Sequence, residues 1–276
     1  MKVLPTFLIP GAPKAGSSTL YECFSAHPQI LMSDQKEPDF FCGHWAEGLS
    51  FYERCFSGYN GEAAIGEATV GYLADPVAPG RIRQVLPDVK FIIVLREPVS
   101  RAVSHYWWRV NTNIETRSID DVLASDDNYP VEFGLYHTQI CRYLELFPMS
   151  RMYFVFTDDM AEDLDAAVNS AADFLGVDRV PVATGPSNLA RTPRSRAATS
   201  LLARASSSPL KHLAPRRVRA LASRTVGTLD RANTKSFRPP PLRDDQRRAL
   251  QEIFLPEIEG LERLVGRDLS HWKARS

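Results

Sequence analysis

Phe7-Leu8-Ile9-Pro10-Gly11-Ala12-Pro13-Lys14-Ala15-Gly16-Ser17-Ser18-Thr19-Leu20 is the stretch that decides the fold. The apolar run Phe7 to Ile9 reads as a buried strand. A Gly/Pro-rich turn follows. Ser17, Ser18 and Thr19 then open a segment with Leu20, Cys23 and Phe24 at helical spacing. Strand, glycine turn and helix start together build an anion site. The first N–H groups of a helix have no internal partner, and the helix dipole adds partial positive charge there. Gly16 lets the backbone come close to a ligand. Lys14 adds a full charge, and the hydroxyls add donors. Lys14, Ala15, Gly16, Ser17, Ser18 and Thr19 are therefore a candidate cradle for phosphate or sulfate. Taken alone, the loop also fits an ordinary strand-to-helix turn with a surface lysine. It departs from the nucleotide loop Gly-x-x-x-x-Gly-Lys-Ser/Thr. Gly11 and Gly16 have that spacing, but Ser17 stands where the lysine belongs, and the lysine sits inside the loop at position 14.

The chain has 276 residues, room for one large or two small domains, and its 44% apolar and 24% charged content predicts a normal packed core. No run of eighteen apolar residues predicts a transmembrane helix. Met1 to Pro5 carry no hydrophobic signal region, so no leader is expected. Cys23, Cys42, Cys55 and Cys141 lack metal-site or Cys-x-x-Cys spacing and read as reduced, mostly buried thiols of a cytoplasmic protein. Net charge is zero but unevenly spread. Residues 191–248 hold 15 Lys/Arg against 3 Asp/Glu, leaving 18 against 30 elsewhere. Such a basic block suits an anionic ligand, glycan or membrane surface, the acidic half of the chain, or a dimer face. A specific nucleic-acid role lacks any accompanying zinc-finger, RRM or helix-turn-helix pattern.

Further along, Ile30 to Met32 reads as a short strand. Ser33 to Phe41 reads as a charged loop anchored by Phe40 and Phe41, with Pro38 favouring an extended backbone at Glu37. A short helix is expected at Ser50–Phe56, a strand at Ala63–Thr69 and a helix at Pro76–Leu86. Lys90 to Leu95 is a continuous apolar run, as a central parallel strand should be. Arg96 follows it directly, at the strand end where open α/β sheets bind ligands. Pro98 then opens a helix carrying Ser104. A guanidinium and a hydroxyl so placed suit a phosphate dianion; a salt bridge to a neighbouring acid is the plainer role for Arg96. Helices are expected at Ile119–Ala124, Leu135–Phe147 and Asp163–Leu175, and a strand at Arg151–Phe156. This alternation predicts a P-loop-like α/β fold, a central parallel sheet with helices on both faces. From 186 onward the chain turns basic, with helices expected at 199–205 and 215–229. A final helix from Asp244 to about Leu264 turns Leu250, Ile253, Phe254, Ile258, Leu261 and Leu264 inward. The whole chain, 1–276, reads as one domain, with its core at about 5–180 and a basic helical region and closing helix at about 186–272.

Three of these stretches together resemble the sulfotransferases that use 3′-phosphoadenosine 5′-phosphosulfate (PAPS). Pro13 to Leu20 is similar to that family's 5′-phosphosulfate loop. Phe91 to Tyr106, with Arg96 and Ser104, is similar to its 3′-phosphate motif. Lys36-Glu37-Pro38-Asp39-Phe40-Phe41 resembles the stretch bearing the catalytic glutamate in the glycosaminoglycan branch and its bacterial relatives. The resemblance covers about residues 5–180, more weakly the C-terminus. There are two departures. That branch has lysine after the glutamate of the next motif, whereas Glu67 is followed by Ala68. Its disulfide-flanked Lys-Gly-Arg loop has no cysteine here and reads Arg191-Thr192-Pro193-Arg194-Ser195-Arg196. Both argue against a glycosaminoglycan acceptor.

The resemblance implies transfer of a sulfuryl group from PAPS to a hydroxyl, or an amine, of a small-molecule, glycan or lipid acceptor, releasing PAP. It implies Glu37 as the base and Lys14 as the charge that stabilises the leaving group. Arg96 and Ser104, with Arg191 or Arg194, would hold the 3′-phosphate. No metal is called for. Glu67, Asp39 and His105 are the other candidate bases. His27, His44 and His137 read as turn, rim or structural residues, and Trp107 and Trp108 as core or interface aromatics or one acceptor wall. The rival readings are a P-loop kinase and a PAP- or PAPS-binding module without turnover.

Overall fold

The computed structural model describes residues 3–182 and 239–273, together with the backbone of 191–193 and 234–236. Five parallel strands form the sheet: β1 (Phe7–Leu8), β2 (Ile30–Met32), β3 (Ala64–Glu67), β4 (Lys90–Leu95) and β5 (Met152–Phe156). They lie in the order β2-β3-β1-β4-β5. Phe7 is in register with Gly66 on one side and Lys90 on the other, and Leu95 with Phe156. Strand β4 is apolar from Phe91 onward because both of its faces are covered; Phe91 to Leu95 are all inaccessible to solvent. Gly66 is required by β1: a Cβ there would stand 2.1 Å from the Phe7 ring.

Helices α1 (Ser17–Ser25), α2 (Leu49–Arg54), α3 (Ala78–Val85) and α4 (Pro98–Asn111) follow the first four strands and their loops. Then come α5 (Ile119–Leu123), α6 (Tyr129–Glu132), α7 (Tyr136–Leu144), α8 (Thr157–Glu162) and α9 (Leu164–Leu175), and after the undescribed stretch α10 (Asp244–Val265) and α11 (Ser270–Lys273). The α/β class and parallel sheet are as the sequence predicts. The helices expected at 199–205 and 215–229 lie outside the described residues.

Strand order reverses at β1. The chain runs out to the edge at β2, returns to β3 beside β1, then crosses to β4 and β5 on the other side. A crevice opens at the carboxyl ends of strands at such a reversal, and here the Pro10–Gly16 loop fills that position.

Three details depart from expectation. Ile253 is 42% exposed, whereas Leu250, Phe254, Ile258 and Leu261 are buried. At 3.6 residues per turn it lies about 90° round α10 from the centre of that stripe. The four cysteines are free but only partly buried, because each sits on the flank of a helix or turn, not on its core stripe. Thr157–Glu162, too short and polar to show periodicity, is a helix. The C-terminal segment grips it: Arg267 meets Asp159 at 2.5 and 2.6 Å, and Trp272 Nε1 donates to Asp158 at 2.8 Å.

Candidate active site

The carboxyl ends of all five strands bring residues to one place. The loop after β1 carries Lys14 and the loop after β2 carries Glu37. Glu67 ends β3, Arg96 follows β4, and Thr157 follows β5. Lys14 and Gly16 take left-handed backbone angles, φ 66° and 106°, and Gly16 is the N-cap of α1. No side chain caps that helix, and no acid stands in its first turn. Its N-terminal dipole thus keeps its attraction for an anion. The loop is tied down from β4 and from the start of α8. Ala12 N donates to Val94 O at 2.6 Å and Val94 N to Gly11 O at 2.8 Å. The Thr157 hydroxyl lies 2.6 Å from Ala15 O and 3.0 Å from Leu95 O. Arg96 Nη1 donates to Lys14 O at 3.2 Å, and Tyr136 OH holds the Arg96 carbonyl at 2.9 Å. Ser17 and Thr19 are buried and Ser18 half-buried.

The charges predicted to act together are electrostatically coupled. Burial, then Arg96 and Lys36, lower the pKa of the Lys14 ammonium, and Glu37 opposes them. Lys36 pairs directly with the Glu37 carboxylate. Arg96 forms no ion pair among the described residues, and Ser104 stands half-buried on α4. Behind Arg96, Arg101 is fully buried; it donates to Pro130 O, while its Nε and Nη1 have no partner.

Glu37 is not extended as the following proline would favour: it has φ 61°, and Asp39 has φ 53°. Such angles cost energy in a non-glycine residue and are held by surrounding structure. Here the holding groups are visible. Asp39 N donates to Thr69 Oγ1 at 3.3 Å, and Phe41 N to Tyr72 OH at 3.3 Å. Phe40 stacks on Tyr52 with ring centroids 4.5 Å apart. Beneath them lies Glu67, fully buried, accepting from Tyr52 OH at 3.1 Å and Thr69 Oγ1 at 2.7 Å. Burial raises its carboxyl to about 7, against hydrogen bonds from Thr69, Tyr72 and Tyr52 that pull it down. Ala68 beside it is inaccessible.

The other candidate bases are placed less well. Glu67 is sealed in this cage. His105 is buried and held down to about 3, by burial first and then by Arg101, Arg109 and Lys14, which makes it a weak proton acceptor. Asp39 folds back on Gly43, and burial raises its carboxyl. His44 pairs with Glu47, His137 packs on Gly260, and His27 Nδ1 accepts from Gln29 N in a turn. Of Arg191 only the backbone is described, in β6 (Arg191–Pro193), which pairs antiparallel with β7 (Thr234–Ser236) and runs beside α4. The side chain of Arg191 and all of Arg194 lie outside the described residues. Sequence reasoning passed over Thr157, although it follows a strand end as Arg96 does. It also passed over Tyr52, Thr69 and Tyr72, which no local pattern marks. Among the described residues no group of three or more His, Cys, Asp or Glu could hold a metal ion, and no helix is long and apolar enough to cross a membrane.

This arrangement defines an α/β protein that gathers an uncapped helix N-terminus, two cations and a carboxylate at the carboxyl ends of its strands. The model of the sulfotransferase domain matches residues 4–186, and the chain belongs to that family. Human heparan sulfate glucosamine 3-O-sulfotransferase 6 is 31% identical over 183 residues, 64% of this chain and 53% of its own length. Mouse heparan sulfate glucosamine 3-O-sulfotransferase 3B1 is 28% identical over 187 residues, 65% of this chain and 48% of its own. The chain thus spans about half the length of these curated relatives. The crystal structure of a sulfotransferase from Alicyclobacillus acidocaldarius matches 99% of this chain and 100% of its own at 28% identity and a TM-score of 0.74. Mouse sulfotransferase SULT7A1, solved with PAP, shares the fold: 18% identity, TM-score 0.50, 92% of this chain and 84% of its own.

Proposed function

We propose that this chain moves the sulfuryl group of PAPS to a hydroxyl, or an amine, of a carbohydrate, glycolipid or secondary-metabolite acceptor and releases PAP. The observation that carries the reading is the convergence of the Lys14 loop, Arg96 and Glu37 at the reversal point of the sheet, with Lys14 and Glu37 electrostatically coupled. The residues fit the donor. An uncapped helix N-terminus and two cations with no ion pair among the described residues, Lys14 and Arg96, suit its phosphosulfate and phosphate groups. The donor supplies an activated S–O bond whose cleavage needs charge stabilisation on the departing phosphate. Lys14 and the N–H groups at the start of α1 provide it. Glu37 takes the proton of the attacking hydroxyl. One acceptor O–S bond forms, the bridging S–O bond breaks, and its electron pair leaves with PAP. Arg96 and Ser104, with Arg191 or Arg194, hold the 3′-phosphate and so distinguish PAPS from ATP. A single domain over 1–276, acting in the cytoplasm and able to pair as a homodimer, belongs to the same reading.

Calorimetry with PAP, ADP and ATP, with and without Mg²⁺, tests it. Tight, magnesium-independent PAP binding with much weaker ADP binding is expected, followed by transfer from radiolabelled PAPS. Preference for ATP with magnesium overturns the reading.

A further inference from the structure

We propose that Trp108 is the platform on which the acceptor lies, and that the reacting hydroxyl is carried on a ring with an apolar face. The inference rests on the sulfuryl-transfer reading above and names the acceptor chemistry of the same site. Trp108 is the exception among the aromatics of α4. Tyr106 and Trp107 pack with Val122 and Tyr129 in a small core of their own, whereas Trp108 is 42% exposed. An indole left that open needs a reason only if its surroundings supply one, and here they do. The Lys14 Nζ lies 5.6 Å from the Trp108 ring centroid. Lys14 is in turn coupled to Glu37, Lys36 and Arg96, so the indole borders the space those groups surround. Trp108 also stands one helical turn beyond Ser104 on the same helix.

The position restricts the acceptor. Its hydroxyl must sit between the Glu37 carboxylate and the sulfur held at Lys14. Whatever carries that hydroxyl then extends along α4 over the indole. The His105 imidazole lies beside it, ring centroids 6.0 Å apart. A ring with an apolar face, the plane of an aromatic alcohol or the C–H face of a sugar, gains contact and dispersion there that a linear alcohol cannot match.

The test uses the full chain saturated with PAP and three probes: 2-naphthol, methyl β-D-glucopyranoside and 1-hexanol. Binding is measured for the wild type, Trp108→Ala and Trp108→Phe. The expected result is that at least one ring probe binds more tightly than hexanol. Trp108→Ala should weaken that ring probe on the order of tenfold, and Trp108→Phe should restore most of the loss. PAP affinity should stay within about twofold, because the groups assigned to its phosphates are Lys14, Arg96 and the N-terminus of α1. In turnover assays the loss should fall on the acceptor KM more than on kcat. Naphthol alone responding assigns an aromatic acceptor; the pyranoside alone responding assigns a sugar. The proposal is overturned if neither ring binds better than hexanol, or if Trp108→Ala leaves ring binding unchanged. It is also overturned if PAP affinity falls as far as ring affinity, which would make the indole merely a rest for Lys14. Failure of the wild type to bind PAP at all overturns the donor assignment instead.

Discussion

Replacing Glu67 with glutamine should make the protein more stable at pH 8 while leaving it almost unchanged at pH 5. The Glu67 carboxyl is sealed from solvent among Tyr52, Thr69 and Tyr72, with no cation bonded to it. Burial raises its pKa from 4.5 to about 7. Because the folded value lies above the unfolded one, the folded state binds the proton more tightly. That contribution is complete below pH 4.5 and is lost as pH rises through 7. A gap of this size corresponds to about 3 kcal/mol, of which about 2.5 kcal/mol disappears between pH 5 and pH 8. Glutamine has no charge to lose. It does turn one acceptor oxygen into a donor, at a cost of about 1 kcal/mol that does not vary with pH. The variant should therefore match the wild type near pH 5 and exceed it by about 2 kcal/mol at pH 8. Urea denaturation of both proteins at pH 5, 6.5 and 8 measures the double difference. A stability gap that is the same at all three values would refute the reasoning, because it would mean that Glu67 does not titrate in this window.

Three further outcomes are expected at the site. Glu37→Gln should lower kcat by at least about 100-fold, as loss of a general base does, while calorimetric PAP affinity holds; near-normal turnover would remove Glu37 from the mechanism. Arg96→Ala should weaken PAP by about 10- to 100-fold and ADP far less, since a charge-assisted bond is worth ~1.5–3 kcal/mol; equal losses for both nucleotides would deny it the 3′-phosphate. An anion bound at Lys14 should reverse the lowering of its pKa by burial, Arg96 and Lys36. PAP binding should then take up protons at alkaline pH and weaken as pH rises through the free-state pKa of Lys14. Calorimetry in buffers of different ionisation enthalpy detects that uptake, and its absence would place Lys14 away from the donor.

What could be read from the sequence was what local chemistry encodes. The β1 loop and the α1 start announce themselves through Gly16, Lys14 and the hydroxyl run. Strand β4 and Arg96 do so through a continuous apolar run ended by a charge. The backbone of Glu37 could not be read this way, because its local rule points the wrong way. Proline at position 38 favours an extended Glu37, yet Thr69 and Tyr72, about thirty residues distant, hold the segment in a left-handed turn. Those holding groups reach the loop only through the parallel register of β2 and β3, which no short window contains. Ile253 failed for a related reason: an apolar residue on the edge of a helical stripe faces inward only if a neighbour covers that edge.

The two halves of the site are therefore fastened by different means, and this bears on how they work. The Lys14 loop is fixed by backbone bonds to β4 and by the Thr157 hydroxyl. Thr157 begins α8, and α8 is gripped by Arg267 and Trp272 from the C-terminal segment. The Glu37 loop is fixed instead by side chains of a buried cage, through Asp39 N to Thr69 and Phe41 N to Tyr72. In the proposed sulfuryl transfer, changes along Thr157, Asp159 and Arg267 should register first in PAP affinity, and changes in Tyr52, Thr69 and Tyr72 first in turnover. The absence of a lysine at position 68 fits this division. The charge beside Glu37 is that of Lys36 in the same loop, so the cation travels with the carboxylate it pairs with.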